Sequence, residues 1–312
     1  MSMDDADRMS LIEKAAGRLS QKTQGQGRPP PPFSEPPPHQ ASAPPARPAA
    51  QSGANVPGAE RGGFADIDLQ GLKAQGYLTP DGERTRVAEE FRIIKRPLLE
   101  NAFGRSAALV ERGNLLMVTS AVPGEGKTYT AVNLAMSIAM EMDKTVLLVD
   151  ADAGRARVHE VLGVPMGPGL IDLLTDDSLE VADVMLRTNI PKLRVIPMGR
   201  YHPHSTELLA SDGMQRLTTE LGDRYSDRVV IFDAPPLLAT SEPVVLAGLM
   251  GQIVFVVQSQ RTLQGQVQDA LSLLDASKPV GLVLNKARKA FGSNYYGYGS
   301  YGYGHYGYHG KN

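Results

Sequence analysis

The stretch AVPGEGKTYT, residues 121–130, decides the fold. It sits between a short apolar run, NLLMVTS (114–120), and a longer helical pattern, TAVNLAMSIAMEM (130–142). Glycines at 124 and 126 let the backbone curl with its N–H groups turned inward, and the following helix aims the positive end of its dipole at the same point. A strand, a glycine loop and a helix in that order make a phosphate cradle. Lys127 can reach the outer phosphates of a nucleotide, and the Thr128 hydroxyl can hold Mg²⁺. The nucleotide contacts expected here are Gly124, Glu125, Gly126, Lys127, Thr128 and Tyr129. Tyr129 has the alternative of being an ordinary helix residue.

Further apolar runs follow at TVLLVDAD (145–152), KLRVIPMG (192–199), RVVIFDAPP (228–236), QIVFVVQ (252–258) and PVGLVLNK (279–286). Near-continuous apolar strands separated by helical stretches predict an α/β fold: a P-loop NTPase with a mostly parallel sheet covered by helices on both faces. Sheets of this kind gather ligands at their strand ends. Two such ends carry carboxylates: Asp150 and Asp152, two apart and so on one side of an extended strand, and Asp233, followed by Pro235 and Pro236. Beside a triphosphate such residues hold the metal directly or through water; the alternative is that they cap helices or turns.

Outside this block the composition changes. Eleven of the 23 prolines lie between Pro29 and Pro57, in a stretch that reads as an extended linker. Before it, SLIEKAAGRLS (10–20) has helical spacing but is too short to be stable alone. After it, TPDGERTRVAEEFRIIKRPLLENAF (79–103) reads as a helix or helix pair, entered through Thr79–Pro80 and disturbed near Pro97. The expected division is a short amphipathic helix at 1–20, a Pro-rich linker at 21–76, a catalytic domain at 77–288 and a Tyr/Gly-rich tail at 289–312. Seven of the eleven tyrosines crowd into that tail: Tyr295, Tyr296, Tyr298, Tyr301, Tyr303, Tyr306 and Tyr308. A glycine-rich segment without aliphatic side chains cannot bury a core, so it is either a sticky assembly segment or a substrate.

The net charge of −2 and the lack of any basic patch argue against nucleic acid as a partner, and the absence of cysteine rules out disulfides and thiolate metal sites. The acidic start MSMDDADRMS is unlike a signal peptide. The longest apolar stretch, VVLAGLMGQIVFVVQ (244–258), is too short and too interrupted to span a membrane and reads as a helix end, a turn and a buried strand. The expected location is cytoplasmic, with any membrane association coming through a partner.

AVPGEGKT, LLVDAD, VIFDAPP, EEFRIIKRPLL (89–99), STELLAS (205–211) and the tyrosine tail together resemble the bacterial tyrosine kinases of exopolysaccharide systems, closest to those of exosortase-associated loci. The MinD/ParA positioning ATPases share the sheet but carry a second lysine early in the loop, where this chain has Val122 and Pro123. The resemblance implies ATP and Mg²⁺ as cofactors, with Lys127 neutralising phosphate charge and Thr128, Asp150 and Asp233 serving the metal. It makes Asp152 the group that orients or deprotonates an attacking tyrosine, and it matches Asn285 to an adenine-reading position. It also implies autophosphorylation of the tail between subunits of a homo-oligomeric ring gripped through Glu89, Arg92 and Lys95, although these three fit a solvated face equally well. The implied partners are an inner-membrane polysaccharide co-polymerase, or chain-length activator, and a cognate tyrosine phosphatase. A MinD/ParA-like partner-switching ATPase and an ATP-binding scaffold are the other readings to test.

Overall fold

A computed structural model describes residues 62–81, 84–104, 110–225 and 227–287. Eight strands form one sheet: β1 (Phe64–Ala65), β2 (Leu115–Ser120), β3 (Thr145–Asp150), β4 (Leu186–Thr188), β5 (Leu193–Ile196), β6 (Arg228–Asp233), β7 (Gln252–Gln258) and β8 (Val280–Asn285), in the order β1-β4-β5-β3-β6-β2-β7-β8. All pairings are parallel except β4 with β5. The connecting helices are α1 (Leu69–Ala74), α2 (Arg86–Phe103), α3 (Lys127–Ala139), α4 (Val158–Leu162), α5 (Leu170–Thr175), α6 (Val181–Val184), α7 (Ser205–Leu209), α8 (Asp212–Asp223), α9 (Glu242–Leu249) and α10 (Gln264–Ser272).

The central strands are apolar on both faces because helices cover both. Leu116, Val118, Val146 and Leu148 face a core built with α2 and α3, while Leu115, Met117, Leu147 and Val149 face one built with α8 and α9. This is the doubly covered parallel sheet that the sequence pattern predicts. The stretch 244–258 resolves into the end of α9, a turn and β7, as expected. Among the described residues no helix is long and apolar enough to cross a membrane.

Three expectations need correction. Residues 62–76, assigned to the linker, carry β1 and α1. Ala65, Ile67 and Leu72 are buried, and the Asn189 side chain hydrogen-bonds both the N–H and the C=O of Ile67, at 3.1 and 3.0 Å. Proline frequency hid a segment too short to show periodicity. Second, of the helix or helix pair expected, the structure has a single helix, α2, but its N-cap is Thr85 and not Thr79–Pro80; the Thr85 hydroxyl accepts the Ala88 N–H at 3.1 Å, and the helix runs through Pro97.

Third, Lys95 does not share a solvent face with Glu89 and Arg92. It is buried, with Nζ donating to the Ser137 carbonyl at 2.6 Å and pairing with Glu141 at 2.6 Å, which ties α2 to the end of α3. Steps of three residues drift around a 3.6-residue helix, so the third member turns inward. Glu89 and Arg92 stay exposed and pair with each other. The helix expected at 1–20, the proline-rich stretch between Pro29 and Pro57 and the seven tail tyrosines lie outside the described residues.

Candidate active site

The loop after β2 turns on two glycines with left-handed backbones, Gly124 (φ 87°) and Gly126 (φ 101°). At Gly126 a side chain is excluded twice over, because a Cβ would sit 2.0 Å from Asn285 Nδ2. Helix α3 begins at Lys127, and Gly126 offers no side chain to cap it. The first N–H groups of a 13-residue helix therefore face the loop, a ready anion site.

The Glu125 side chain is buried and holds the loop, so the nucleotide contact expected of this residue falls to its backbone N–H. Its carboxylate accepts the Val122 N–H at 2.8 Å, the Gln258 N–H at 3.1 Å and the Thr262 hydroxyl, pinning the loop to the end of β7. Asn285 braces the loop: Nδ2 donates to the Glu125 carbonyl at 2.8 Å and Oδ1 accepts the Lys286 N–H, which leaves one amide N–H and one lone pair for the base that the resemblance assigns to it. Lys286, which the sequence did not single out, adds a bond from Nζ to the Gly124 carbonyl at 2.7 Å. Only the fold brings these residues, some 160 positions apart in sequence, together. Tyr129 points away from the loop, with its hydroxyl on the Gly76 carbonyl at 3.0 Å and its ring against Tyr77 and Phe91. It is a helix residue packed on α2.

The other expected side chains converge. Lys127 Nζ lies 3.7 Å from Asp152 Oδ2, both buried, and Asp152 Oδ1 accepts the Arg155 N–H at 3.0 Å. The Thr128 hydroxyl donates to Asp233 Oδ2 at 2.6 Å. Asp150 stands in register with Asp233 across β3 and β6, and its two oxygens accept the N–H groups of Asp152 (3.2 Å) and Val158 (3.0 Å). Asp233 Oδ1 is buried without a partner among the described residues.

Burial, then the neighbouring Asp233 charge, pushes the Asp150 carboxyl up to about 8. Burial also pushes Asp233 up to about 7, against the pull of the Thr128 hydroxyl and Lys127. Without a cation beside them, the pair favours holding a proton at neutral pH.

A family profile for the AAA domain matches residues 115–278. The chain is 36% identical to the tyrosine-protein kinase YwqD of Bacillus subtilis over 215 residues, covering 68% of this chain and 86% of the relative. The chain belongs to the bacterial tyrosine kinase family. It is also 32% identical to the tyrosine-protein kinase wzc of Salmonella typhimurium over 236 residues, 74% of this chain but 31% of the relative. Against ptk of Acinetobacter johnsonii it covers 24% of the relative, so it spans no more than a third of these long bacterial tyrosine kinases. The kinase domain of Escherichia coli tyrosine kinase ETK superposes with a TM-score of 0.58 at 27% identity, covering 78% of this chain and all of that one. The chimerical protein CapA2B2 gives 0.59 at 26% identity, covering 73% and 95%. Nucleotide binding follows from family and loop together.

Proposed function

We propose that this family member is an ATP-dependent protein-tyrosine autokinase whose substrates include Tyr295, Tyr296, Tyr298, Tyr301, Tyr303, Tyr306 and Tyr308. The observation that carries the reading is the constellation of Lys127, Thr128, Asp152 and Asp233 at the mouth of the loop.

The donor set fits a hard cation, since Thr128, Asp150 and Asp233 offer oxygens only and Asp233 Oδ1 has no other partner. Mg²⁺ held there would neutralise charge on the β- and γ-phosphates. Lys127 and the N–H groups of the loop take the remaining phosphate charge. A phenol has a pKa of about 10, so its attack is helped by a carboxylate. When phosphate draws Lys127 away from Asp152, that carboxylate is released to accept the phenolic proton. The tyrosine oxygen then bonds to the γ-phosphorus, the bond to the β-phosphate oxygen breaks, and ADP leaves.

The resemblance supports the wider setting: regulation of exopolysaccharide synthesis, a homo-oligomeric ring that phosphorylates between subunits, an inner-membrane co-polymerase as activator, a cognate phosphatase and a cytoplasmic location at that membrane. Of the ring contact, Glu89 and Arg92 remain as candidates. The test is mass spectrometry of the protein incubated with Mg·ATP at several enzyme concentrations, with and without the cytoplasmic part of a candidate activator, beside Lys127→Met and Asp152→Asn. Phosphate on residues 295–308 in wild type alone, with a rate that rises with enzyme concentration, is expected. ATP hydrolysis with an unmodified tail would favour a partner-switching ATPase instead.

A further inference from the structure

At the opposite end of the sheet from the nucleotide loop, one face carries three arginines. Arg187 and Arg194 stand directly opposite each other across β4 and β5. Arg194 is in register with Leu147 of β3, and Arg228 with Thr145, two residues earlier on the same face. None of the three has a carboxylate within ion-pair distance among the described residues. The Nε atoms of Arg187 and Arg228 are buried without a partner among the described residues. Among the described residues Arg194 bonds only carbonyls, those of Pro191 and Leu193 at 3.0 and 3.1 Å. Burial and the Arg187 charge pull Arg194 below the usual arginine range; burial does the same to Arg228, and Arg194 adds to it. The Tyr225 hydroxyl first, then Asp227, pull Arg228 the other way, and Asp227 also accepts from the Thr145 hydroxyl at 3.4 Å.

Two aromatic rings flank the cluster. Tyr225 lies 3.8 Å from the Arg228 guanidinium, and Phe64, in register with Arg187, is 58% exposed. Repelling guanidiniums with unmet donors, set between aromatic rings, match a dianion borne on an aromatic ring.

We propose that Arg187, Arg194 and the neighbouring Phe64 ring, extended on the far side of β3 by Arg228 and Tyr225, bind a phosphotyrosine of the C-terminal tail. The proposal rests on the autokinase reading above for the origin of that ligand. Residues 288–312 provide 25 residues beyond the last described one, a reach of up to about 80 Å when extended, which is ample for the tail of the same or a neighbouring chain. The site would hold the product tail away from the nucleotide loop and so separate phosphorylated from unphosphorylated tails.

The test uses the full-length, phosphatase-treated protein and a synthetic peptide of residues 294–300 phosphorylated at Tyr296, with the unphosphorylated peptide, inorganic phosphate and phosphatidylserine vesicles as comparators. Calorimetry should find binding of the phosphopeptide, none of the plain peptide, and affinity about tenfold weaker for each of Arg187→Gln and Arg194→Gln. The exposed Phe64→Ala should weaken the phosphopeptide but not inorganic phosphate, a readout independent of any folding defect in the arginine variants. Equal binding of both peptides, full binding by the folded arginine variants, or capture of vesicles but not phosphopeptide would overturn the site. The peptide carries its phosphate from synthesis, so a wild type that fails to phosphorylate its own tail would refute the autokinase and leave this binding result to stand alone.

Discussion

Asp150 and Asp233 carry folded-state pKa values of about 8 and about 7, well above the unfolded carboxylate value near 4. The folded protein therefore retains protons that the unfolded chain releases, and the stability this contributes is complete below about pH 4 and lost as pH rises through about 7 to 8. Without nucleotide or Mg²⁺ the melting temperature should fall across that window. Asp233→Asn should flatten the fall and melt above wild type at about pH 8, because it removes one of two buried acids. Melting curves across pH check this, and parallel slopes for the two proteins would contradict it. The same change should abolish tail phosphorylation, since the asparagine amide cannot replace the carboxylate toward a cation.

Among elements, the loop and α2 carry separable predictions. Glu125 pins the loop to β7 through three donors, so Glu125→Ala should leave the protein folded and weaken ATP binding by about tenfold, the equivalent of one lost hydrogen bond. Equilibrium nucleotide titration reads the change. In α2, Lys95→Ala removes the bonds to Ser137 and Glu141 and should cost about 2 kcal/mol of stability, while the exposed Arg92→Ala should cost less than about 0.5. Denaturant unfolding separates the two. Arg92→Ala should instead appear in the assembly state if α2 grips a neighbour.

For the whole molecule, the N-terminal boundary is the sharpest test. A chain starting at Tyr77 lacks the buried Ile67 and Leu72, each contributing about 1.5–3 kcal/mol, and exposes the strand that β1 covers. It should therefore melt well below a chain starting at Gly62, or fail to stay in solution. Equal melting temperatures would mean that β1 and α1 add nothing to the sheet.

Residue order alone determined the sheet and the identity of the chemical groups. Long apolar strands, the glycine loop and the strand-end aspartates are local patterns, and local patterns survive in one dimension. Lys127, Thr128, Asp150, Asp152 and Asp233 were legible for that reason. Helix phase turned Lys95 inward, and packing turned Tyr129 onto Tyr77 and Phe91. The bracing of the loop by Glu125, Asn285 and Lys286, and the meeting of Arg187, Arg194 and Arg228, required the fold. These residues come near one another only when β4, β5, β3 and β6, or β2, β7 and β8, lie side by side in that order, and strand order is a property of packed layers that no single stretch encodes.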